Sequence, residues 1–556
     1  MISIKERQIM HWVLLIGTVT TSLIISPSYS LDPINLPKLL ILVPTSLFLF
    51  GFILNNRSYF AEKRMRIILA ALILFVIQMI MVLAFSGAPF SQQFFGVFGR
   101  NTGFAAYLAL LAIFISAAIS ADSRIIKRMA IALLGSGVLS ILYGLIQMSG
   151  NDPIKWNNPY NSIIGFLGNP NFTSSFIGFS SVVSTALFFK LKQKPAYRLL
   201  AVGYLLLSLF VVAKSASIQG ILVIGITSSI VTITALSKLP RTKGVPVKVF
   251  AIFIGFSGLV TLLGTLKIGP LADFLYKISV RQRGFYWDAA IEMVKSHPFL
   301  GIGFDSYGDW YFQKRSSNAA FLTPTVQSNA AHNVYLDIAA IGGIPLVALY
   351  IFINGYIFWL GIKTIKESPS FDPYYVAIFA AWIGYQAQSI ISINQLGIAV
   401  WGWVLGGLII GGSKSFSPPE LEKREGKVLK KSNVGKIKLL FPISGLVLGL
   451  AVVVPPYQAD HNFRVKSASG DGVAVMAAID KYPVSTGHML SAANVFINSG
   501  LVDQGIQIAK KIVEINPRDF NAWLLISERA PANSDEKAEA NRMVRMLNPK
   551  VNQIKQ

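Results

Sequence analysis

The chain contains about thirteen apolar segments, each close in length to a membrane-spanning helix. A helix needs about 20 mostly apolar residues to cross the hydrocarbon core of a bilayer. Hydrophobic residues make up 53% of the 556 residues and charged residues only 14%, which excludes an ordinary soluble protein. The pattern therefore predicts an all-α, polytopic membrane protein. The predicted spans are residues 9–27, 37–55, 67–86, 102–121, 129–148, 172–190, 197–213, 217–236, 247–266, 333–361, 374–392, 397–412 and 439–456.

The tenth segment, residues 333–361, is too long for one straight span. It contains the sequence Gly342-Gly343-Ile344-Pro345. A proline inside a helix removes a backbone hydrogen bond and bends the helix. We therefore expect a short entry segment, a break, and then the true span.

Basic residues alternate between successive connections. Every second connection is rich in Lys and Arg, whereas those between have almost none, and cytoplasmic loops carry such an excess. This predicts a cytoplasmic N-terminus, an uncleaved first span and a C-terminus outside. The basic residues are Arg57, Lys63, Arg64, Arg66, Arg124, Lys127, Arg128, Lys190, Lys192, Lys194, Arg198, Lys238, Arg241, Lys243, Lys248, Lys363, Lys366 and those of the Lys/Glu-rich stretch 414–438.

The formal charge of +24 is concentrated in the same loops, where attraction to anionic lipid explains it. No nucleic acid partner is needed. The absence of cysteine excludes disulfides and thiolate metal ligands. We expect four regions: N-terminal membrane helices in 1–266, an extracytoplasmic loop in 267–332, C-terminal membrane helices in 333–456 and an external tail in 457–556.

The long loop has a predicted amphipathic helix from Ser279 to Ser296. Arg283, Trp287, Ala290 and Val294 are spaced to share one face of it, and its aromatic residues suit the headgroup level of a membrane. His297-Pro298 ends this helix, and Gly301-Ile302-Gly303 predicts a turn.

The tail has a repeat. Pro483, Pro517 and Pro549 each follow a helical stretch, and they are spaced by 34 and 32 residues (517 − 483 and 549 − 517). This is the period of tetratricopeptide helix–turn–helix units. With about two repeats, the tail is expected to pack against a partner, such as an envelope protein, or against the membrane region.

His332 lies where the long polar loop re-enters a membrane helix, and it is the strongest candidate for a functional residue. Ionisable side chains at such a boundary are costly, so they tend to be functional. The alternative is that His332 only anchors or caps the helix at the interface.

Other polar residues gather in connections on the same outer side. Arg100 is the single cation of its loop, although it could be an interfacial anchor. Lys214 lies in a short connection, and Arg281 with Arg283 could be a solvated pair. Together, these cations would suit a pyrophosphate, because Arg binds phosphate oxygens bidentately. The segment Gly168-Asn169-Pro170-Asn171 is predicted to form a turn, with Asn171 capping the next helix, rather than to contact a ligand. No metal-ligand cluster or carboxylate pair is apparent.

Residues 279–361 resemble the O-antigen ligase and polymerase superfamily of membrane glycosyltransferases, which transfer glycans from undecaprenyl pyrophosphate. Similar upstream signatures extend the resemblance over most of residues 90–412. Members often carry Ser-Arg where this chain has Lys214-Ser215, which weakens the assignment of that contact. The matching pieces are Arg283-x-x-x-Trp287, His297-Pro298-Phe299-Leu300-Gly301-Ile302-Gly303, Ala331-His332-Asn333-x-Tyr335-Leu336, Gly342-Gly343-Ile344-Pro345, Phe98-Gly99-Arg100-Asn101-Thr102-Gly103 and Gly168-Asn169-Pro170-Asn171.

The resemblance implies a metal-independent transfer without a cofactor. His332 would accept the proton of an acceptor hydroxyl or contact a phosphate directly, and cations would bind the pyrophosphate. The acceptor would be a lipid, a glycan or a protein, reached from the outer face of the cytoplasmic membrane. The implied pyrophosphate ligands are Arg100, Lys214, Arg281 and Arg283, and the implied supporting residues are Asn169, Asn171, Trp287 and Asn333.

Three rival functions stay open. A polymerase of the same superfamily would join lipid-linked repeat units rather than move a finished chain to an acceptor. A multi-pass transporter or flippase is disfavoured, because the spans show no paired charges and no internal twofold repeat. A non-catalytic scaffold presenting the tail is disfavoured by the presence of His332 and Arg283.

Overall fold

The computed structural model describes residues 3–55, 63–156, 163–190, 194–238, 245–269, 272–275, 278–413 and 438–552. Every regular element in these ranges is helical. All but the last residue of the stretch 414–438 lies outside the described residues, as do Arg57, Lys192, Arg241 and Lys243.

In the described ranges, ten helices precede the long loop and ten follow it. The first ten are α1 (Ile4–Leu23), α2 (Asn35–Leu54), α3 (Lys63–Phe85), α4 (Phe90–Phe95), α5 (Phe104–Ser120), α6 (Ser123–Met148), α7 (Pro170–Phe188), α8 (Pro195–Lys214), α9 (Ile218–Lys238) and α10 (Val245–Thr265). The loop contains α11 (Ala272–Leu275), α12 (Ile278–Ser296), α13 (Tyr307–Lys314) and α14 (Ser317–Leu322). The remainder are α15 (Val334–Glu367), α16 (Pro373–Ile391), α17 (Leu396–Gly412), α18 (Leu440–Ser469), α19 (Gly472–Ile479), α20 (Thr486–Asn498), α21 (Val502–Ile515), α22 (Phe520–Arg529), α23 (Asp535–Leu547) and α24 (Pro549–Asn552).

Each predicted span overlaps one of these helices. Eight of them, α2, α3, α6, α8, α9, α10, α15 and α18, are long and apolar enough to cross a membrane by length and composition. Helices α5 and α17 are apolar but only 17 residues long. The all-helical membrane architecture is therefore confirmed, while the number of thirteen spans stays a prediction.

The centre of the bundle consists of α5, α7, α16 and α17, in each of which most residues are buried. Helices α5 and α17 approach closely because Gly407 and Gly411 present no side chain to the backbone of α5. Small residues four positions apart are a common device for close helix packing in membranes.

The predicted break in the tenth segment is confirmed at Gly343, whose backbone (φ 76°, ψ 179°) is not helical. Pro345 has no N–H for the carbonyl of Ile341, and Gly303 N–H donates to that carbonyl instead, at 3.1 Å. Ile302 N–H likewise donates to Ala340, at 2.9 Å. A side chain at Gly343 would collide with the carbonyl of Phe299. The turn after α12 is therefore hydrogen-bonded to the kink of α15.

The predicted helix in the loop is confirmed as α12, which buries one face. The buried residues are Tyr286, Ala289, Ala290 and Met293, whereas Arg283 and Trp287 are only half-buried. The buried face belongs to one hydrophobic cluster with Tyr307 and Tyr311 of α13. The sequence analysis did not identify α13 and so made no prediction of this cluster.

The tail is docked on loops of the membrane region. Helix α18 runs without interruption across the expected boundary at residue 456. Asp460 in this helix bonds to Ser30 and His488, at 2.7 and 3.1 Å. Phe520 packs on Phe312 of α13, at 4.6 Å between ring centroids. Helices α19, α21 and α23 end two to four residues before the three spaced prolines.

The basic connections meet at the opposite end of the bundle. Lys127 and Lys190 both lie over the ring of Tyr374, at 5.7 and 5.4 Å. Lys238 donates to the carbonyl of Ser368, at 2.7 Å. The ends of the spans thus separate into a basic end and an end that carries the candidate site and the tail.

Candidate functional site

His332 immediately precedes the cap of α15 and has a left-handed backbone, with φ 53°. Such a conformation costs a non-glycine residue about 1–3 kcal/mol and persists only when its surroundings enforce it. Asp337, one turn into α15, accepts a hydrogen bond from Ala331 N–H at 2.6 Å. Asn333 caps the helix by accepting from the backbone N–H groups of Tyr335 and Leu336. The loop is therefore held on both sides of His332.

The imidazole of His332 stacks on the ring of Tyr286, with centroids 5.1 Å apart and an interplanar angle of 28°. Burial lowers the pKa of His332 to about 3, and the positive charges of Arg100 and Arg283 lower it further in the same direction. His332 is therefore neutral at physiological pH and can accept a proton. The structure brings these two predicted arginines to the predicted histidine.

Arg100 is carried by a tight turn that a buried carboxylate organises. Asp305 accepts hydrogen bonds from the backbone of Val97 and Thr102, at 3.0 and 3.1 Å, and from the Thr102 hydroxyl, at 2.7 Å. Gly96, with φ 88°, approaches this carboxylate so closely that a side chain there would collide with it. Burial raises the pKa of Asp305, while the bond from Thr102 and the charge of Arg100 oppose that rise.

Asp305 and Asp337 line one cavity with Arg100. The sequence analysis did not bring these two acids together. Both carboxylates accept hydrogen bonds from backbone N–H groups. These bonds fix the two loops that carry Arg100 and His332. The remaining lining residues are Thr102, Tyr107, Tyr307, Asn329, Ala330, Ile341 and Asn394.

Arg283 and Trp287 lie one turn apart on α12, as their spacing predicts. Arg283 Nε and Trp287 Nε1 are both buried and have no hydrogen-bond partner among the described residues. A buried donor without an acceptor costs about 1–3 kcal/mol. Two such donors lie on one helix face, close enough to His332 for the charge of Arg283 to lower its pKa. They are suited to bind an oxygen-rich anion.

The other predicted site residues have more peripheral positions. Lys214 ends α8, is exposed, and lies over the ring of Phe210 at 5.8 Å. Arg281 is exposed in the first turn of α12. Neither is among the charges that act on the imidazole of His332.

The Gly-Asn-Pro-Asn segment forms a helix start, but the capping residue is not the predicted one. Asn169 caps α7 by accepting from Asn171 N–H at 2.8 Å, and Pro170 is the first helical residue. Asn171 instead accepts from the hydroxyl of Ser217 at 2.8 Å. This bond joins the segment to the connection that contains Lys214.

The residues that sequence analysis missed are Asp305, Asp337 and Tyr286. Asp337 carried a usable signal, because it is an ionisable residue in the first turn of a membrane helix, the criterion that selected His332. Asp305 and Tyr286 carried none of comparable strength. Their roles depend on partners distant in sequence, Arg100 for the carboxylate and His332 for the ring.

The arrangement combines a neutral base, two arginines and unpartnered donors at one end of a membrane bundle. It can bind an anion and take up a proton beside it. In the described ranges, no group of three His, Asp or Glu side chains is placed to hold a metal ion.

Comparison with known proteins supports the resemblance. Residues 173–351 match the family model described as O-antigen ligase. This range runs from α7 to the middle of α15 and includes Lys214, Arg283 and His332, but neither Arg100 nor the tail. No curated protein matches the chain significantly. The family match indicates a membrane glycosyltransferase of the ligase or polymerase type.

Proposed function

We propose that the protein moves a glycan from undecaprenyl pyrophosphate to an acceptor hydroxyl on the outer side of the cytoplasmic membrane. The observation that carries this proposal is the neutral His332 placed within the electrostatic reach of Arg100 and Arg283. The acceptor is a lipid, a glycan or a protein, and the reaction uses no cofactor.

In the proposed reaction, the acceptor oxygen attacks the anomeric carbon of the donor sugar. The bond from that carbon to the pyrophosphate oxygen breaks, and its electron pair leaves with undecaprenyl pyrophosphate. His332 accepts the acceptor's proton as general base. Arg100 and Arg283 stabilise the charge on the departing pyrophosphate, so the transfer proceeds without a metal.

Arg100 and Arg283 also shift the pKa of His332. Without donor, their charges add to burial and keep the pKa of His332 low. The negative charge of a bound pyrophosphate offsets them, which raises that pKa and makes His332 a better base. The base therefore becomes stronger when the donor is in place. We assign Lys214 and Arg281 to outer contacts with the donor, and Trp287 Nε1 to a pyrophosphate oxygen.

We also propose the predicted topology of thirteen spans, with the basic end in the cytoplasm and the site and tail outside. The positive-inside bias supports this orientation. The tail, of tetratricopeptide type, binds an envelope partner on its undocked surface.

Cysteine labelling tests this topology, since the chain has no cysteine of its own. Ser317 and Ser123 are exposed and lie near opposite ends of the bundle. In intact cells, a membrane-impermeant reagent is expected to label Ser317→Cys and to spare Ser123→Cys until the membrane is opened. The reverse pattern would invert the proposed orientation.

Lysine substitution tests the roles of Arg100 and Arg283. Lysine keeps the charge but loses the planar fork that binds phosphate bidentately. We expect either variant to raise the donor KM about tenfold while the acceptor KM stays unchanged. Steady-state kinetics with each substrate limiting in turn measures this, with Arg529→Lys, at an exposed arginine of the tail, as the comparison. A change confined to the acceptor KM would contradict the assignment.

Glycan profiling of a deletion strain tests the function and separates the ligase from a polymerase. A ligase predicts free lipid-linked polymer that is no longer attached to its acceptor. Single attached repeat units would instead identify a polymerase, and an unchanged profile would refute both.

A further inference from the structure

Trp310 on α13 is surrounded by cationic and titratable side chains from three segments. The guanidinium carbon of Arg518 lies 3.3 Å from the ring centroid, and Lys314 Nζ lies 5.6 Å from it. The His297 ring packs against the same indole, at 4.6 Å between centroids. Lys550 Nζ donates to the carbonyl of Arg315, the residue after Lys314, at 2.5 Å. We call Lys314, Arg518, Lys550, His297 and Trp310 the tail–loop cluster.

The cations of this cluster are not neutralised by direct pairing. Among the described residues, no carboxylate forms a salt bridge with Lys314, Arg518 or Lys550. All three are half-buried. Burial lowers the pKa of Lys314, the charges of Arg518 and Lys550 lower it further, and the charge of Glu292 opposes that fall. Like charges gathered away from bulk water repel one another unless an anion joins them.

The nearby acids act on these cations through their charge, but their own hydrogen bonds go to other groups. Glu292 pairs with Lys295, at 2.7 Å. Asp309 is deeply buried, accepts from Gln92 at 2.7 Å, and has its pKa raised to about 7 by burial, which reduces its charge. Asp519 caps α22. In addition, Arg518 Nε is buried and has no hydrogen-bond partner in the described part of the chain.

An apolar surface borders the cluster. Phe299 follows His297 by two residues and is 74% exposed. Ile344, which is 53% exposed, lies beside it, because Ile344 N–H donates to the carbonyl of Pro298 at 2.7 Å. Ile344 belongs to α15, a candidate membrane span. The cluster therefore borders exposed apolar side chains of a candidate membrane span.

From this juxtaposition we infer that the tail–loop cluster binds the phosphate group of an anionic membrane lipid. Arg518 and Lys314 contact the phosphate, Lys550 adds charge, and the acyl chains lie against Phe299 and Ile344. Lysine and arginine are the usual partners of phosphate at membrane surfaces. The ligand joins the tail to the loop, since Arg518 and Lys550 come from the tail. This inference requires a membrane protein but does not rest on the proposed transfer reaction.

Equilibrium binding of a short-chain phosphatidylglycerol to the detergent-solubilised full chain tests the inference. We expect it to bind at least tenfold more tightly than phosphatidylcholine with the same chains, whose choline cancels the phosphate charge. Lys314→Gln is the test variant, because this side chain forms no hydrogen bond or ion pair with the described part of the tail. Loss of the Lys314 ammonium group should weaken phosphatidylglycerol binding about tenfold, the usual effect of losing a hydrogen bond to a charged group.

Lys510→Gln is the matched control, since it removes the same charge from an exposed lysine paired with Glu536. It should leave binding unchanged. Equal affinity in wild type and Lys314→Gln, or equal affinity for both lipids, would overturn the inference. Glycerol 3-phosphate tests the lipid source: competition as strong as that of the lipid would overturn it in favour of a soluble anion.

Discussion

Replacement of His332 by alanine or asparagine is expected to lower the rate of glycan transfer by about 10²–10⁴-fold, the usual contribution of a positioned general base. Asparagine is the more informative change, because it tolerates the left-handed backbone of this position and cannot serve as a base. Transfer by the purified variant, measured with saturating donor and acceptor, tests the role of His332.

His461→Ala is a suitable control. His461 lies in the membrane-proximal part of the tail and bonds to the carbonyl of Tyr29, away from the candidate site. We expect it to retain wild-type activity. A His332→Asn variant that keeps more than about a tenth of the wild-type rate would show that His332 is not the base.

The pH dependence gives a second measurement of the same base. The pKa of His332 is about 3 in the free protein, so kcat/KM should show no loss of active base near pH 6.5. A bound donor raises this pKa, so the acid limb of kcat should lie at a higher pH than that of kcat/KM. These two profiles report the free and the substrate-bound forms. An acid limb of kcat/KM near 6.5 would contradict the buried, arginine-flanked environment.

Hydropathy and local chemistry predicted much of the architecture. Apolar segments of spanning length gave the positions of the membrane helices, and Pro345 with its preceding glycines gave the break in α15. These features are local, so they can be read from adjacent residues. The cap of α7 was misassigned by two residues, although Pro170 carried the signal: proline favours the first helical position, which makes Asn169 the cap.

The buried face of α12 and the organisation of the site could not be predicted in the same way. The face depends on Tyr307 and Tyr311, which belong to a helix that the sequence analysis did not identify. The turn that carries Arg100 is held by Asp305, a residue 205 positions further along the chain (305 − 100). Such contacts form only in the folded bundle, so charge and spacing identified the arginines but not the carboxylate that positions one of them.

Asp305→Ala is expected to have the second large effect. The substitution leaves the backbone N–H groups of Val97 and Thr102 and the Thr102 hydroxyl, all partly buried, without their acceptor, and a fully buried group in that state costs about 1–3 kcal/mol. The turn then no longer holds Arg100 near His332. We therefore expect a lower Tm and a fall of about 100-fold in kcat/KM for the donor.

The comparison with other substitutions separates positioning of Arg100 from general destabilisation. Asp288→Ala removes an exposed acid from α12 and should change neither quantity. Asp305→Asn keeps the size and one acceptor oxygen, so it should recover part of the stability and part of the donor use. Because Asp305 acts through Arg100, adding Asp305→Asn to Arg100→Ala should lower donor use little further. Fully additive losses in that double variant would show that the carboxylate acts independently of Arg100.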